Sequence, residues 1–313
     1  MQIVRFGEKL NTPLTLALGY FETMHLGHKA LIDTAKQVAS KNGSKVGLFT
    51  FDRKGATEVY SFDERMDLYR ESGIDYVIVA TFDKTFASTK GADFLRRLND
   101  LFCLKALVCG FDYTFGNDRL DNFDLTVLLD GKLPLYVVKP VMTDGEKVSS
   151  TLVRSLLNDN KIERVNSLLA SPYFIEGTVA HGRGVGSQIG FPTANISVDA
   201  GKLLPHGVFG GYVETASGSY PAIVNIGDKP TFDIAEQTVE AYLLGFDGNL
   251  YGQKVKITLT CFIRPIRKFV DAQELAEQLA CDVKCVTKEK NNDQIRSERK
   301  RTSFCRDGFQ VNS

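Results

Sequence analysis

Near Ser171-Pro172 the hydrophobic rhythm of the chain changes, and few folds accommodate both halves of it. Before that point short apolar, β-rich runs at Leu14–Leu18, Val46–Phe51, Tyr76–Ala80, Ala106–Cys109 and Leu135–Val138 alternate with helical patterns. Strands that alternate with helices build a parallel sheet. In the first intervening helix Leu31, Ile32, Ala35, Val38 and Ala39 share one face, and Asn42-Gly43 supplies a stop. Helical segments at Thr151–Leu157 and Lys161–Leu169 close this half before the Ser-Pro break. Beyond the break, strand-like stretches at Phe174–Ala180, Val208–Thr215, Tyr220–Ile226, Val239–Phe246 and Val255–Ile263 follow one another. Turns such as Ala216-Ser217-Gly218 and Asp247-Gly248-Asn249 join them without helices, which predicts an antiparallel sheet or barrel. A helix at Asp271–Leu279 then plugs or flanks it.

The expected fold class is therefore α/β plus β. A doubly wound, Rossmann-like parallel-sheet domain spans residues 1–170, an antiparallel β-barrel domain spans 171–287, and a polar tail at 288–313 reads as a solvated, disordered terminus. Two domains also suit a length of 313 residues.

Charge and cysteine usage exclude several function classes. Lys plus Arg number 38 and Asp plus Glu 38, so no positive field exists to hold a nucleic-acid backbone, and any nucleotide is a small bound ligand. The six cysteines form no CxxC pair and show neither metal-site spacing nor a disulfide framework. The N-terminal stretch lacks the apolar core of a signal peptide, and no run is long enough to span a bilayer, so a cytoplasmic address without membrane contact is expected. No residue pattern sets the oligomeric state.

The segment Gly19 to His28, GYFETMHLGH, falls between the first strand and the first helix, where a doubly wound sheet places its ligand crevice. Gly19 and Gly27 let backbone approach a phosphate, the helix start offers free N–H groups, and His25 and His28 can donate to developing negative charge. Phe21, inside the same segment, joins Gly19 and Gly27 as a nucleotide-binding candidate. The bland alternative is a Gly-containing turn with two surface histidines, against which stands the clustering of two of the chain's four histidines here. Val148 to Arg154, VSSTLVR, opens a helix after the last parallel strand, so Ser149, Ser150, Thr151 and Arg154 can meet triphosphate oxygens; alone, Ser149 or Ser150 reads equally as an N-cap. GFDYTFG, Gly110 to Gly116, leaves a strand end and brings Asp112 and aromatic rings to the crevice.

The second half carries HGRGVGSQIGFPTAN, His181 to Asn195. Gly182, Gly184 and Gly186 let backbone amides wrap a nucleotide, Arg183 adds charge, and Thr193 and Asn195 offer oxygens to a hard cation such as Mg²⁺. Glu240 interrupts the apolar run Val239-Glu240-Ala241-Tyr242-Leu243, so its burial demands partners or a chemical use; an outward-facing strand glutamate is the alternative.

The Gly19–His28, Gly110–Gly116 and Val148–Arg154 segments together resemble the FMN adenylyltransferase domain of bacterial bifunctional riboflavin kinase/FAD synthetases, a nucleotidyltransferase branch marked by the HxGH signature that His25 and His28 match. GFPTAN is similar to the riboflavin kinase motif, and that likeness continues through HGVFGGYV, AIVNIGDKPTF, VEAYLLGFDGNLYG and IRPIRKF. The resemblance implies that His25 and His28 contact ATP phosphates, that Ser149, Ser150, Thr151 and Arg154 complete the ATP site, and that Asp112 lies near the flavin. It further implies that Thr193 and Asn195 hold the ATP-bound Mg²⁺ and that Glu240 is the general base on the ribityl 5′-hydroxyl. The reactions implied are riboflavin plus ATP to FMN plus ADP, then FMN plus ATP to FAD plus pyrophosphate.

This sequence departs from the family pattern in two places. Glu22-Thr23 stands where the family usually has Asp-Gly, and Asp52-Arg53-Lys54-Gly55 replaces a Pro-containing segment. A β-branched residue is strained wherever the backbone needs a positive φ, so a reshaped loop is one expectation at Thr23. An active kinase with a lost or altered adenylyltransferase, or a non-catalytic flavin-binding regulator, are the readings these departures leave open. HxGH alone also admits a pantetheine-phosphate or cytidylyl acceptor.

Overall fold

The computed structural model describes residues 1–53, 55–181, 191–228, 237–271 and 273–287. Lys54, the loop with Gly182, Arg183, Gly184 and Gly186, and the tail at 288–313 lie outside the described residues. The chain groups into two compact units. One comprises Met1–Leu157, Arg164–Ser171 and Ala200–Leu203; the other comprises Asn158–Glu163, Pro172–Asp199 and the chain from Leu204 onward.

The first unit runs β1 (Gln2–Arg5), β2 (Leu10–Leu18), α1 (Leu26–Asn42), β3 (Lys45–Asp52), α2 (Phe62–Glu71), β4 (Tyr76–Thr81), α3 (Lys84–Ala87), α4 (Gly91–Leu101), β5 (Phe102–Gly110), α5 (Asn122–Leu129) and β6 (Leu135–Val138). A small hairpin, β7 (Met142–Thr143) and β8 (Glu146–Lys147), precedes α6 (Ser150–Asn158) and α7 (Ile162–Leu168). The sheet order is β1-β4-β3-β2-β5-β6 and every pairing is parallel. From β2 the chain fills first one side of the sheet with β3 and β4, then the other with β5 and β6. The reversal of order lies between β2 and β5, and the crevice beyond their carboxyl ends is where such sheets bind ligands.

The expected α1 face is the buried one, with Leu31, Ile32, Ala35, Val38 and Ala39 against the sheet. Burying the Leu31, Ile32 and Val38 side chains contributes about 2 kcal/mol each. The helix ends at Gly43, whose φ of 67° is the left-handed cap conformation that glycine adopts without strain. The strand core is equally apolar: Leu14, Leu16, Leu18, Phe49, Ile78 and Leu107 are buried in one cluster.

In the second unit β9 (Phe174–Ala180), β10 (Ala194–Val198), β11 (Gly207–Thr215), β12 (Gly218–Asp228), β13 (Gln237–Leu243) and β14 (Lys254–Arg264) form a closed antiparallel barrel, β10-β13-β12-β11-β14-β9. Strand β10 was absent from the sequence expectation; the Ala-Asn of the PTAN motif is its first two residues. A helix, α8, covers 273–287. It flanks the barrel, since a six-stranded barrel is filled by its own side chains. Val283 and Val286 of α8 pack with Val208, Ile223, Ile263 and Tyr242. Arg264 clamps buried Asp282 of the same helix through Nε and Nη2 at 2.9–3.2 Å. Among the described residues no helix is long and apolar enough to cross a membrane.

Candidate active sites

His25 occupies the N-cap of α1, in extended conformation, and its Nδ1 accepts the backbone N–H of His28 at 3.1 Å. That bond fixes the tautomer: Nδ1 is the acceptor, so the ring proton sits on Nε2. The two imidazoles stack with centroids 3.8 Å apart. A Cβ at residue 27 would stand 2.9 Å from the His25 ring, so the glycine between the histidines is what lets them stack. Burial lowers His25 to about 4, and desolvation followed by the neighbouring His25 holds His28 well below the usual imidazole range. Both rings are therefore neutral N–H donors near neutral pH.

A cleft of about 310 Å³ opens over this pair, lined by Gly19, His25, Gly27, His28, Asp112, Lys139, Lys147, Ser149, Ser150 and Thr151 among others. The starts of α1 and α6 thus face one space. Each brings unpaired backbone N–H groups and the positive end of its dipole, the arrangement that receives phosphate. Of the two N-cap candidates, Ser149 does the capping, accepting the Leu152 N–H at 3.3 Å, while the Ser150 hydroxyl bonds Thr23 Oγ1 at 3.0 Å. Asp112 lies in this cleft, 2.5 Å from Lys147 Nζ, and does not line the aromatic pocket described below.

Two predicted residues are not brought to the cleft lining. Phe21 is wholly buried with its ring 5.0 Å from that of His28, so it packs behind the histidine and cannot touch a nucleotide with its side chain. Arg154 is engaged by Glu22, donating from Nε at 3.0 Å and from Nη2 at 2.8 Å, and gives Nη1 to the Thr57 carbonyl. Glu22, only 2% exposed, also accepts the Val59 N–H at 3.1 Å. The departure from the family pattern thus builds an ion pair inside the loop. Thr23 carries no strain: the positive φ values belong to Phe21 at 54° and Met24 at 44°.

A second, apolar cavity of about 300 Å³ shares Gly19 and Tyr113 with the cleft. Its walls are Tyr20, Phe49, Phe51, Phe82, Phe86, Phe94 and Phe115, with Thr89 and Asn117 as polar points. Sequence reasoning placed aromatic rings only at Gly110–Gly116. The others come from the β2–α1 loop, β3, the β4–α3 turn, α3 and α4, with no local spacing to mark them.

In the barrel, Glu240 is half-buried and alternates with the buried Val239, Ala241 and Leu243. It faces away from the barrel interior with Tyr242, so the expectation of a buried carboxylate is corrected: strand pleating turns it outward. Cross-strand register sets Asn195 of β10 on one side of Glu240 and Asn225 of β12 on the other. Directly opposed residues share a face, so one carboxylate lies between two amides. Thr193 and Asn195, two residues apart and both half-buried, lead into β10 beside it. The Phe191 ring meets Tyr242 edge-on at 5.3 Å. Asn225 was missed, although a polar residue inside Ile223-Val224-Asn225-Ile226 carries the same signal as Glu240.

Fold and sites together define a two-domain, nucleotide-handling transferase. A family model described as FAD synthetase matches residues 8–152, and one described as riboflavin kinase matches residues 169–289. The chain belongs to the bifunctional riboflavin kinase/FMN adenylyltransferase family. The protein of that name from Bacillus subtilis (strain 168) is 32% identical over 282 residues, covering 85% of this chain and 89% of the relative. That from Haemophilus influenzae is 29% identical over 300 residues, covering 90% and 97%. A solved Streptococcus pneumoniae structure described as a macrolide-efflux protein superposes with a TM-score of 0.85 at 28% identity, over 91% of this chain and 98% of that one. What is shared with it is the fold. The chain is an ATP-using enzyme of FAD biosynthesis, with both activities and with riboflavin, FMN and ATP as substrates.

Proposed function

We propose that residues 1–170 adenylylate FMN in the cleft above His25 and His28, and that residues 171–287 phosphorylate riboflavin beside Glu240. The observation that carries the first assignment is the convergence of two helix N-termini on a cleft holding two neutral imidazoles. An FMN phosphate oxygen forms a bond to the α-phosphorus of ATP as the bond to pyrophosphate breaks. The nucleophile is already ionised, so no base is needed; the demand is for donors to the phosphoryl oxygens. His25 Nε2–H and the His28 ring serve there, with Gly19 and Gly27 admitting the nucleotide, while Ser149, Ser150, Thr151 and Lys147 meet the departing pyrophosphate. Arg154, held by Glu22, supports this wall and does not contact phosphate. The aromatic cavity accommodates the isoalloxazine ring, and Asp112 stands on the ATP side.

In the barrel, Glu240 takes the proton of the riboflavin 5′-hydroxyl as its oxygen attacks the γ-phosphorus of ATP and ADP leaves. Asn195 and Asn225 fix the carboxylate from both sides. Among the described residues no group of three His, Cys, Asp or Glu side chains is placed to hold a metal. Thr193 and Asn195 offer only neutral oxygens, a donor set that fits Mg²⁺ when phosphates supply the remaining ligands and the charge. Bound there, Mg²⁺ would neutralise the transferring phosphates. Gly182, Arg183, Gly184 and Gly186 belong to the same nucleotide site by sequence. The partners are small molecules, in the cytoplasm and without membrane, and without nucleic acid, the last supported by the even balance of 38 basic and 38 acidic residues.

Chromatographic separation of flavins tests this division. Glu240→Gln is expected to slow riboflavin phosphorylation about 10²–10⁴-fold while still converting supplied FMN to FAD, and His28→Ala to do the reverse. Equal loss of both reactions in either variant would refute it.

A further inference from the structure

The aromatic cavity of the first unit has no charged side chain in its lining. Yet the two flavins this enzyme handles differ by one phosphate, so the neutral walls cannot tell product from precursor. Of the charges beside those walls, Glu58 bonds the Tyr20 hydroxyl and Arg65 faces the same ring, and the two pair with each other, which leaves Arg53, the first residue past β3, at the carboxyl edge of the sheet. It lies in the segment that departs from the family's proline-containing pattern. Its guanidinium carbon stands 5.5 Å from the Tyr20 ring centroid and 5.2 Å from that of Phe82, both walls of the cavity. The side chain is exposed, and neighbouring carboxylates are engaged elsewhere: Asp52 faces Arg5 at 3.8 Å and Glu58 pairs with Arg65 at 2.9 Å. Among the described residues Arg53 has ring faces as its contacts and no ion-pair partner. A guanidinium resting on aromatic rings keeps its in-plane N–H groups directed outward, and that fork matches phosphate. Tyr20, whose ring Arg53 faces, directly follows Gly19, one of the two residues that cavity and cleft share.

We propose that Arg53 is a specificity-determining residue that binds the terminal phosphate of FMN, so that the cavity takes phosphorylated flavin in preference to riboflavin. This rests on the reading that the cavity holds the flavin ring. The test is steady-state adenylyl transfer by the full chain with FMN supplied and 5′-deoxyriboflavin, which lacks the hydroxyl the kinase needs, as competitive inhibitor. Arg53→Gln is expected to raise KM for FMN about tenfold, equivalent to ~1.4 kcal/mol, with kcat within about twofold and the inhibitor's Ki unmoved; Arg53→Lys is expected to fall between. An unchanged KM in Arg53→Gln overturns the proposal, as does an equal rise in KM and Ki, which would mean that Arg53 acts on the ring. Phe86→Leu, which keeps the cavity wall apolar but removes one of its rings, distinguishes the role of Arg53 from that of the cavity. If it moves both constants while Arg53→Gln moves neither, only the role of Arg53 fails; if it moves neither, the cavity is not the flavin site and both readings fall.

Discussion

Acid should unfold the first unit partly through His25. Its imidazole is buried at the start of α1, and burial penalises the imidazolium, holding the group at about 4 in place of 6.5. As pH falls, the unfolded chain takes up this proton first, so the unfolded state gains between pH 6.5 and 4. The stabilisation is complete above about pH 6.5 and is lost progressively on the way down to about 4. Over the whole interval it amounts to about 3 kcal/mol, of which about 2 kcal/mol disappears between pH 7 and pH 5. His28, lowered by the same cause, adds in the same direction. The informative variant is His25→Asn, because asparagine is among the best N-caps and can still accept the His28 N–H while carrying no titratable group. Urea unfolding followed by far-ultraviolet circular dichroism, whose helical signal comes mostly from α1 to α6, gives the stability at each pH. Wild type is expected to lose about 2 kcal/mol more than His25→Asn between pH 7 and pH 5. Parallel pH profiles would refute the burial argument.

Two further perturbations probe the same unit. Glu22→Ala leaves both the Val59 N–H and the Arg154 guanidinium without their carboxylate, and is expected to cost about 2–4 kcal/mol, seen as a lower first melting transition; an unchanged melt would show that solvent replaces the pair at no cost. Burial pushes the Cys109 thiol up to about 12, so iodoacetamide at pH 8 should leave it unmodified in the folded protein while the exposed Cys103, Cys281 and Cys285 react. Peptide mass spectrometry decides this, and Cys109 labelling as fast as Cys103 would contradict it.

Those features of the fold that depend on neighbouring residues were legible in the sequence. Leu14–Leu18 reads as a strand because a parallel strand buried on both faces is nearly all apolar, here with Thr15 as its one polar residue, and α1 reads from five residues at helical spacing. The HxGH signature is legible for the same reason, since a cap bond from residue i+3 to residue i is written in the local sequence. What was missed depends on distance or on edges. In β1 only Val4 is buried, and β10 buries only Ile196, so neither shows a clean apolar pattern. The aromatic cavity collects rings from Tyr20 to Phe115, each of which alone reads as ordinary core. Arg154 reads as a phosphate ligand because VSSTLVR opens a helix after the last parallel strand and because of the family resemblance; only the structure shows Glu22 reaching it from 132 positions away. Lys202 is similar: nothing local marks it as buried, yet it bonds Glu64 at 2.7 Å with no exposed side-chain surface.

The substitution of Glu22-Thr23 for Asp-Gly bears on whether the adenylyltransferase half is competent, and the geometry argues for competence. The added methylene of glutamate is absorbed by a two-pronged bond to Arg154, whose own long side chain leaves the cleft to make it. The added side chain of threonine is absorbed because the left-handed positions fall at Phe21 and Met24, on either side of the pair. Its hydroxyl then ties the loop to Ser150, at the helix start that faces the nucleotide. The two changes therefore compensate through α6, and neither displaces His25 from the α1 cap nor closes the space above it. A loop that had lost its function would be free to relieve two non-glycine residues held at positive φ. Here both remain, fully buried, and they turn the backbone so that His25 and His28 stack beneath the cleft.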